Sequence, residues 1–349
     1  MIDIQENVPL ATWTTFGVGG NARYFAVAFA EDEVPEALEF VQRHQLPFFV
    51  LGGGSNLLVS DNGFPGLVLR IAIGGIEQRQ EGARTIFRAG AGVQWDDLVA
   101  RTVDANCAGL ECLSGIPGSV GGTPVQNVGA YGQDVSETIA RVEAIEIASA
   151  RKVVFSRQEC GFHYRRSRFN QQDAGRYILT YVEYALQPGG VQRLAYADLK
   201  RRFATTLEAG ATPSLEDVRQ AVLDIRRGKG MVFDEADPDS HSAGSFFKNP
   251  VVSREEYERI AATSAIPVPH FDAPEGRVKL AAAWLIEQSG VPRGFTLGKA
   301  GISRKHTLAL TNRGDATAAD IVRLKEHVER CVQDRFGIPL QPEPVLLGF

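Results

Sequence analysis

Apolar residues follow two rhythms along this chain: single positions every three or four residues, and short unbroken runs bounded by Gly, Asn and Asp. In 31–44, Val34, Leu38 and Val41 share one helical face, which predicts a helix. Phe48, Phe49, Val50 and Leu51 then read as a buried strand running directly into Gly52-Gly53-Gly54-Ser55-Asn56. A turn at Asp61-Asn62-Gly63 and a strand over 67–71 close a first α/β segment near residue 72. The second segment predicts a strand at 85–89, a helix at 94–106, a Gly-dense apolar block at 114–132, and strands at 142–147, 152–155 and 177–186. Pro188-Gly189-Gly190 and the charged stretch around Lys200-Arg201-Arg202 mark a change of domain near 200–210. Helices are expected at 215–227, 254–262 and 278–289, the last stopped by Gly290 with Pro292 beyond. A final helix begins at Thr317, with Asp320 as its capping-box partner. It carries Ile321, Leu324, Val328, Cys331 and Val332 on one face and ends at Gly337. The pattern predicts an α+β protein with segments 1–72, 73–205 and 206–337, followed by an extended tail over 338–349.

Composition narrows the function classes without naming one. The 349 residues are 44% hydrophobic and 23% charged, as in ordinary globular proteins. Lys and Arg number 37 against 42 Asp and Glu, a formal charge of -5, so the broad positive field of a nucleic-acid binder is missing. Any anion must be held by a local cluster of donors. No apolar run approaches the ~18 residues needed to span a bilayer, and the N-terminus has no signal-peptide pattern. Cys107, Cys112, Cys160 and Cys331 form no metal-ligand spacing with the six histidines. No metal is expected, and a reducing cytoplasm is the expected setting.

Several short motifs dissolve on inspection. Gly17-Val18-Gly19-Gly20-Asn21-Ala22 fits the dinucleotide fingerprint, but no apolar strand precedes it, so it reads as a turn. Ser245 with Lys248 and Ser60-Asp61-Asn62 mimic an acylase pair in reversed order and without a K-T-G element. Gly52 to Asn56 is stronger, because consecutive backbone N–H groups in such a turn form an anion-binding concavity, although an ordinary Gly-rich turn would look the same. The second Gly-rich block adds Ser119, Thr123, Gln126 and Asn127 as donors and acceptors for a long dinucleotide. Two separated Gly loops in an α/β setting resemble FAD-binding domains of the vanillyl-alcohol-oxidase (PCMH) type. Three arginines crowd Arg165-Arg166-Ser167-Arg168; a solvated basic loop is the plain reading, but Phe162, Tyr164 and Phe169 flank them and point to a pocket. Ser245 could be a simple turn residue. Glu343, between Pro342 and Pro344, is either an edge-strand residue or a deliberately aimed acid.

Taken together, Thr14-Thr15-Phe16-Gly17, the 51–57 block, the 116–132 block, Tyr164-Arg165, the 243–250 block and Pro342-Glu343 resemble the UDP-N-acetylenolpyruvoylglucosamine reductases. Leu194 to Leu199, with Tyr196 at its centre, is similar to the substrate-capping loop of the type I members. The resemblance implies non-covalent FAD at Gly52, Gly53, Gly54, Ser55, Asn56, Gly118, Ser119, Gly121, Gly122 and Asn127. It implies a PCMH-type pair of FAD-binding subdomains followed by a C-terminal substrate-binding domain. The implied reaction is NADPH-dependent reduction of UDP-N-acetylglucosamine enolpyruvate to UDP-N-acetylmuramate, in peptidoglycan precursor synthesis. Arg165 matches the carboxylate-stabilising arginine, Ser245 the proton donor and Glu343 their acidic partner. Tyr196, Lys229 and Asn249 fall where the family contacts the diphosphate. The stretch after Lys229 departs from the family by being longer and more acidic, and His306 stands at a position that is frequently polar. A small-molecule enzyme acting as a cytoplasmic monomer, without nucleic acid or membrane insertion, is the expectation. The alternatives are a PCMH-type flavin oxidase, which often tethers FAD through a histidine absent near 52–56, and a non-catalytic nucleotide-sugar binding protein.

Overall fold

The computed structural model describes residues 2–192 and 194–349. It divides into two compact units, each assembled from separate stretches of chain. The first draws on residues 2–8, Ala22–Gly54 and Pro65–Val232, and the second on Pro9–Asn21, Ser55–Phe64 and Phe233–Phe349.

The first unit contains two main sheets, beside a two-stranded pairing of Gly129–Ala130 with Gln133–Asp134. In the smaller, the strands run in the order Ile4–Pro9, Asn21–Ala28, Phe64–Ile71, Phe48–Leu51. Phe48–Leu51 lies parallel to its neighbour, with Phe48 opposite Leu67. The helix Glu33–His44 buries Val34, Ala37 and Leu38 in a cluster with Ala26, Ala28, Leu67 and Leu69 from that sheet. This matches the periodicity read from 31–44. The larger sheet is antiparallel, ordered Lys152–Ser156, Ile139–Glu146, Tyr177–Pro188, Arg84–Gly90, Ile76–Glu81, with Cys107–Ala108 added to the long strand Tyr177–Pro188. Trp95, Leu98 and Val99 of the helix Trp95–Asp104 pack with Phe87, Val142, Val182 and Tyr184. Alternation along the strands turns Arg88 away from that core. It pairs with Glu143 at 2.7 Å and stacks over the Tyr181 ring at 3.5 Å.

The helix Leu215–Gly228 also belongs to the first unit, although the change of domain was expected before it. Its N-terminus is closed by a capping box between Ser214 and Asp217. Val218, Ala221 and Val222 bury against Cys112, Tyr131 and Leu199. Arg219 fastens it to the Trp95–Asp104 helix by a bidentate pair to Asp96, at 2.7 and 2.8 Å. Asp96 also accepts the Gly115 N–H at 2.6 Å. One carboxylate therefore holds two helices and the start of the Gly-rich block.

A single core fills the second unit, with Phe16 and Leu58 from its early stretches and Phe246, Phe247, Leu285, Ile321, Leu324 and Val328 from its late one. The helix Ala318–Phe336 carries the predicted Thr317/Asp320 capping box and ends at Gly337, whose φ is +73°. Its first amides, Ala318 and Ala319, donate to Asp61 at 2.7 and 2.9 Å. The tail forms the strand Val345–Leu347, parallel to Leu57–Val59. The predicted helix at 278–289 is shorter than expected. Val278–Leu280 is a strand with Val278 and Leu280 buried, and the helix proper is Ala282–Gln288. Among the described residues, no helix is long and apolar enough to cross a membrane.

The Asp96 junction gives a stability prediction. Burial opposes its charge, but Arg219 and the Gly115 amide outweigh that and hold its carboxyl below the usual carboxylate range. Such a group stabilises the fold above its unfolded pKa, and the contribution is lost as pH falls through the folded value. Asp96→Ala is expected to cost about 1–3 kcal/mol at pH 7. The difference from the parent should shrink below about pH 3.9. Urea denaturation of both proteins across pH 3–8 measures it; a constant difference would disprove the linkage.

Candidate active site

The strand Phe48–Leu51 delivers the first Gly loop onto the second. A Cβ on Gly53 would lie 2.5 Å from Gly118 Cα and 2.8 Å from Ser119 N, and a Cβ on Gly52 would meet Ser119 Oγ at 3.0 Å. Gly54 and Gly118 take left-handed backbone, with φ of +66° and +122°. A Cβ on Gly121 would clash with Ala91 at 2.7 Å, so glycine is needed there for packing. Gly122, by contrast, faces open space and begins the short helix Gly122–Gln126. Asn127 ends that helix in left-handed backbone and ties two loops together. Its Nδ2 donates to the His163 carbonyl at 2.9 Å, and its Oδ1 accepts the Ser136 N–H at 3.2 Å. Thr123 Oγ1 and the buried Tyr184 hydroxyl share a 2.7 Å hydrogen bond under the same helix. All of these positions lie in the first unit; Ser55 and Asn56 belong to the second.

The crowded arginines separate into different roles. Arg168 is structural: it donates to Asp173 at 2.7 Å and to the Glu159 carbonyl at 2.9 Å, and stacks on Phe155. Arg165 occupies a tight turn closed by paired hydrogen bonds between His163 and Arg166, at 2.9 and 3.0 Å. Its φ is +55°, left-handed backbone that is uncommon for a non-glycine residue. Its guanidinium is half-buried and donates to the Gly129 carbonyl at 2.8 Å, on the second Gly loop. It also donates to the Asn127 carbonyl at 3.4 Å.

In the same unit, Tyr196 immediately precedes the helix Ala197–Arg202, and its ring meets Tyr131 edge-on at 5.2 Å. Lys229, at the C-terminus of Leu215–Gly228, lies 5.8 Å over the Tyr131 ring and donates to Asp198 at 2.9 Å. Burial disfavours its charge, but Asp198 and Tyr131 outweigh this and keep its pKa above the usual lysine value. Arg226 donates to the carbonyls of Gly115 and Met231 at 3.2 and 2.7 Å, and burial lowers its pKa. Tyr131, Asp198 and Arg226 were not singled out from sequence. Asp198 lies two residues after Tyr196 and close to a lysine only in the fold, so no local pattern announces it.

The second unit brings Ser245 and Glu343 into one locality. Gly244, with φ of +70°, turns the chain into Ser245, and Phe246 and Phe247 anchor the segment in the core. The C-terminal stretch pairs with it: Phe247 bridges Pro342, and the Glu343 N–H donates to the Phe246 carbonyl at 2.8 Å. The prolines on either side of Glu343 leave only its own N–H for such a bond. Val345 N–H in turn donates to Asn56 O at 3.0 Å, and Asn56 Nδ2 to Glu343 O at 3.4 Å. Asn249 caps the helix Ala282–Gln288, its Oδ1 accepting the Ala282 N–H at 2.9 Å. The acidic stretch after Lys229 is satisfied within this unit. Asp237 pairs with Lys305 at 2.7 Å, and buried Asp239 accepts from the Arg304 amide at 2.9 Å and from Arg313 at 3.2 Å. Nδ1 of His306 accepts the Leu308 N–H at 3.2 Å. Burial pushes the Cys160 thiol up to about 12, which leaves it a poor nucleophile.

Residues 237–347 match the model of the C-terminal domain of UDP-N-acetylenolpyruvoylglucosamine reductase, and residues 22–153 match an FAD-binding domain. The chain is 46% identical to the UDP-N-acetylenolpyruvoylglucosamine reductase of Thermobifida fusca, over 98% of both chains. It belongs to this reductase family. The reductase of Streptomyces coelicolor is 45% identical over 99% of this chain and 91% of its own. The crystal structure of the Thermus caldophilus reductase shares the fold, with a TM-score of 0.67 and 27% identity over 99% of this chain and all of that one. The fold is thus the α+β arrangement expected, a PCMH-type FAD-binding fold with the reductase C-terminal domain.

The residues fit FAD on the protein's own geometry. Ser119 Oγ and Gln126 Oε1 are buried without a hydrogen-bond partner from the protein. Orphaned polar atoms of this kind call for a bound group. Ribityl hydroxyls and the flavin ring supply suitable partners, and the Gly53–Gly118 contact leaves backbone amides unshielded by side chains. Gly53→Ala should therefore push the loops apart and weaken FAD binding about tenfold or more. The check is the flavin-to-protein absorbance ratio after purification, and a full complement of flavin in this variant would refute the loop assignment.

Proposed function

We propose that this reductase-family protein adds hydride and a proton across the enolpyruvyl double bond of UDP-N-acetylglucosamine enolpyruvate, with NADPH as the reductant. Arg165, Ser245 and Glu343 would handle the charge. Held by the two Gly loops, FAD would supply the chemistry that relays hydride from NADPH to the terminal vinyl carbon of the substrate. Everything else falls to side chains. Addition of hydride at that carbon leaves an electron pair on the neighbouring carbon, delocalised into the carboxylate as an aci-carboxylate. Such charge is costly away from water unless donors are already fixed around it.

Arg165 supplies the planar fork suited to a carboxylate. Its left-handed turn and its bond to Gly129 support a guanidinium held in advance of the substrate. Ser245 donates its hydroxyl proton to the carbanion carbon, which completes a saturated lactyl ether. A serine is a weak acid, but a carbanion is a strong enough base when the geometry is fixed. A bare carboxylate would repel the intermediate, so Glu343 serves as a neutral donor or by ordering a water. The observation that carries this reading is the pairing of Glu343 with the residue that follows Ser245. Tyr196 and Lys229 take the diphosphate. Asn249 supports that contact through its remaining amide protons, since its oxygen already caps a helix. On this reading the enzyme works as a cytoplasmic monomer.

Ser245→Ala should leave flavin reduction by NADPH nearly intact and lower turnover of the enolpyruvyl substrate by about 10²- to 10⁴-fold. Stopped-flow measurement of the two half-reactions distinguishes them, and equal loss in both would make the serine structural. Arg165→Lys should lose about 10²- to 10³-fold in turnover. Near-normal steady-state rates in that variant would remove Arg165 from the site.

A further inference from the structure

The lysine offered to the diphosphate already has an anion. Lys229 Nζ donates to Asp198 Oδ2 at 2.9 Å. Asp198 lies in the first turn of Ala197–Arg202, two residues after Tyr196, so it travels with the segment that carries the tyrosine. Tyr196 and Lys229 both approach one ring, Tyr131, at 5.2 and 5.8 Å. The segment has a separate apolar anchor, because Leu199 is buried with Val218 and Val222 of the Leu215–Gly228 helix. The ion pair is therefore not needed to attach it. Asp198 also pairs with Arg201, which would keep it satisfied if Lys229 left. Its carboxyl is held below the usual range chiefly by the Lys229 hydrogen bond.

We propose that Asp198 is an internal counter-anion for Lys229 that the incoming diphosphate must displace. Binding would then exchange a carboxylate for a phosphate on the same ammonium and would release the Tyr196 segment from it. A half-buried lysine left alone before substrate arrives would be costly, and Asp198 removes that cost. The exchange lowers the net gain from the diphosphate, so Asp198 acts as a positioning residue that tunes nucleotide affinity and eases product exit. This rests on the reading of Lys229 as a diphosphate ligand.

The test is calorimetric titration of UDP, and of uridine as the phosphate-free control, into FAD-loaded parent, Asp198→Asn, Lys229→Met and the double variant. Asp198→Asn should bind UDP on the order of threefold more tightly, the scale of one partly exposed ion pair. Uridine affinity should not change, and the tightening should vanish in the Lys229→Met background. Asp198→Ser, which removes the carboxylate without adding an amide, should behave as Asp198→Asn does. Weaker or unchanged UDP binding in both Asp198 variants, with Lys229→Met still weakening it, would overturn the counter-anion role alone. An unchanged UDP affinity in Lys229→Met would instead remove Lys229 as the diphosphate ligand, and the proposal with it.

Discussion

Between Gly53 and Gly118 the two backbones come too close for any side chain, and much of the first unit is arranged to hold them there. Phe48–Leu51 is locked in parallel register to its neighbour, so the first loop leaves the sheet at a fixed point. The second loop is fixed from behind: the Gly121 N–H donates to Ala91 O, Val120 N–H to Val93 O, and the Gly115 amide to Asp96. Backbone donors set this way need no reorganisation when an anionic group arrives, which is where a rigid site gains over a flexible one. Arg165 is attached to the same scaffold through Gly129, so the guanidinium shares the rigidity of the loop.

The second unit solves a related problem by different means. The segments that carry Ser245 and Glu343, nearly a hundred residues apart in sequence, are joined by main-chain pairing. The aromatic pair Phe246 and Phe247, fully buried after Ser245, fixes the orientation of that segment. Here a partly exposed hydroxyl and two core side chains are consecutive residues of one stretch.

Much of this was legible in the amino-acid order. The capping box at Thr317 and periodic apolar faces located the long helices, and the Gly-dense blocks located the loops. What escaped was structure without a strong apolar period. Ile4–Pro9 and Ile76–Glu81 are largely exposed, so nothing in their patterning separates them from loops. Val278–Leu280 merged with the following helix because three apolar-spaced residues satisfy either period. Of the proposed site residues, Arg165, Ser245 and Glu343 were singled out in the sequence, whereas the helix-capping use of Asn249 and the Asp198–Lys229 pair depend on partners distant in sequence. In the acidic stretch, Asp237 and Asp239 are paired with Lys305 and Arg313, more than sixty residues further on, which no local pattern announces.

The attachment of Asp61 to the start of the Ala318–Phe336 helix bears on how the molecule is made. A piece of the second unit leaves the ribosome early and must wait for its partners, because its strand Leu57–Val59 pairs with Val345–Leu347 at the far end of the chain. During synthesis those early segments carry unfilled hydrogen-bonding groups and the apolar side chains of Phe16 and Leu58. Pairing in the second unit is thus complete only once residues 345–347 are available, and a fragment lacking residues 57–61 would forfeit both a helix cap and a strand pairing.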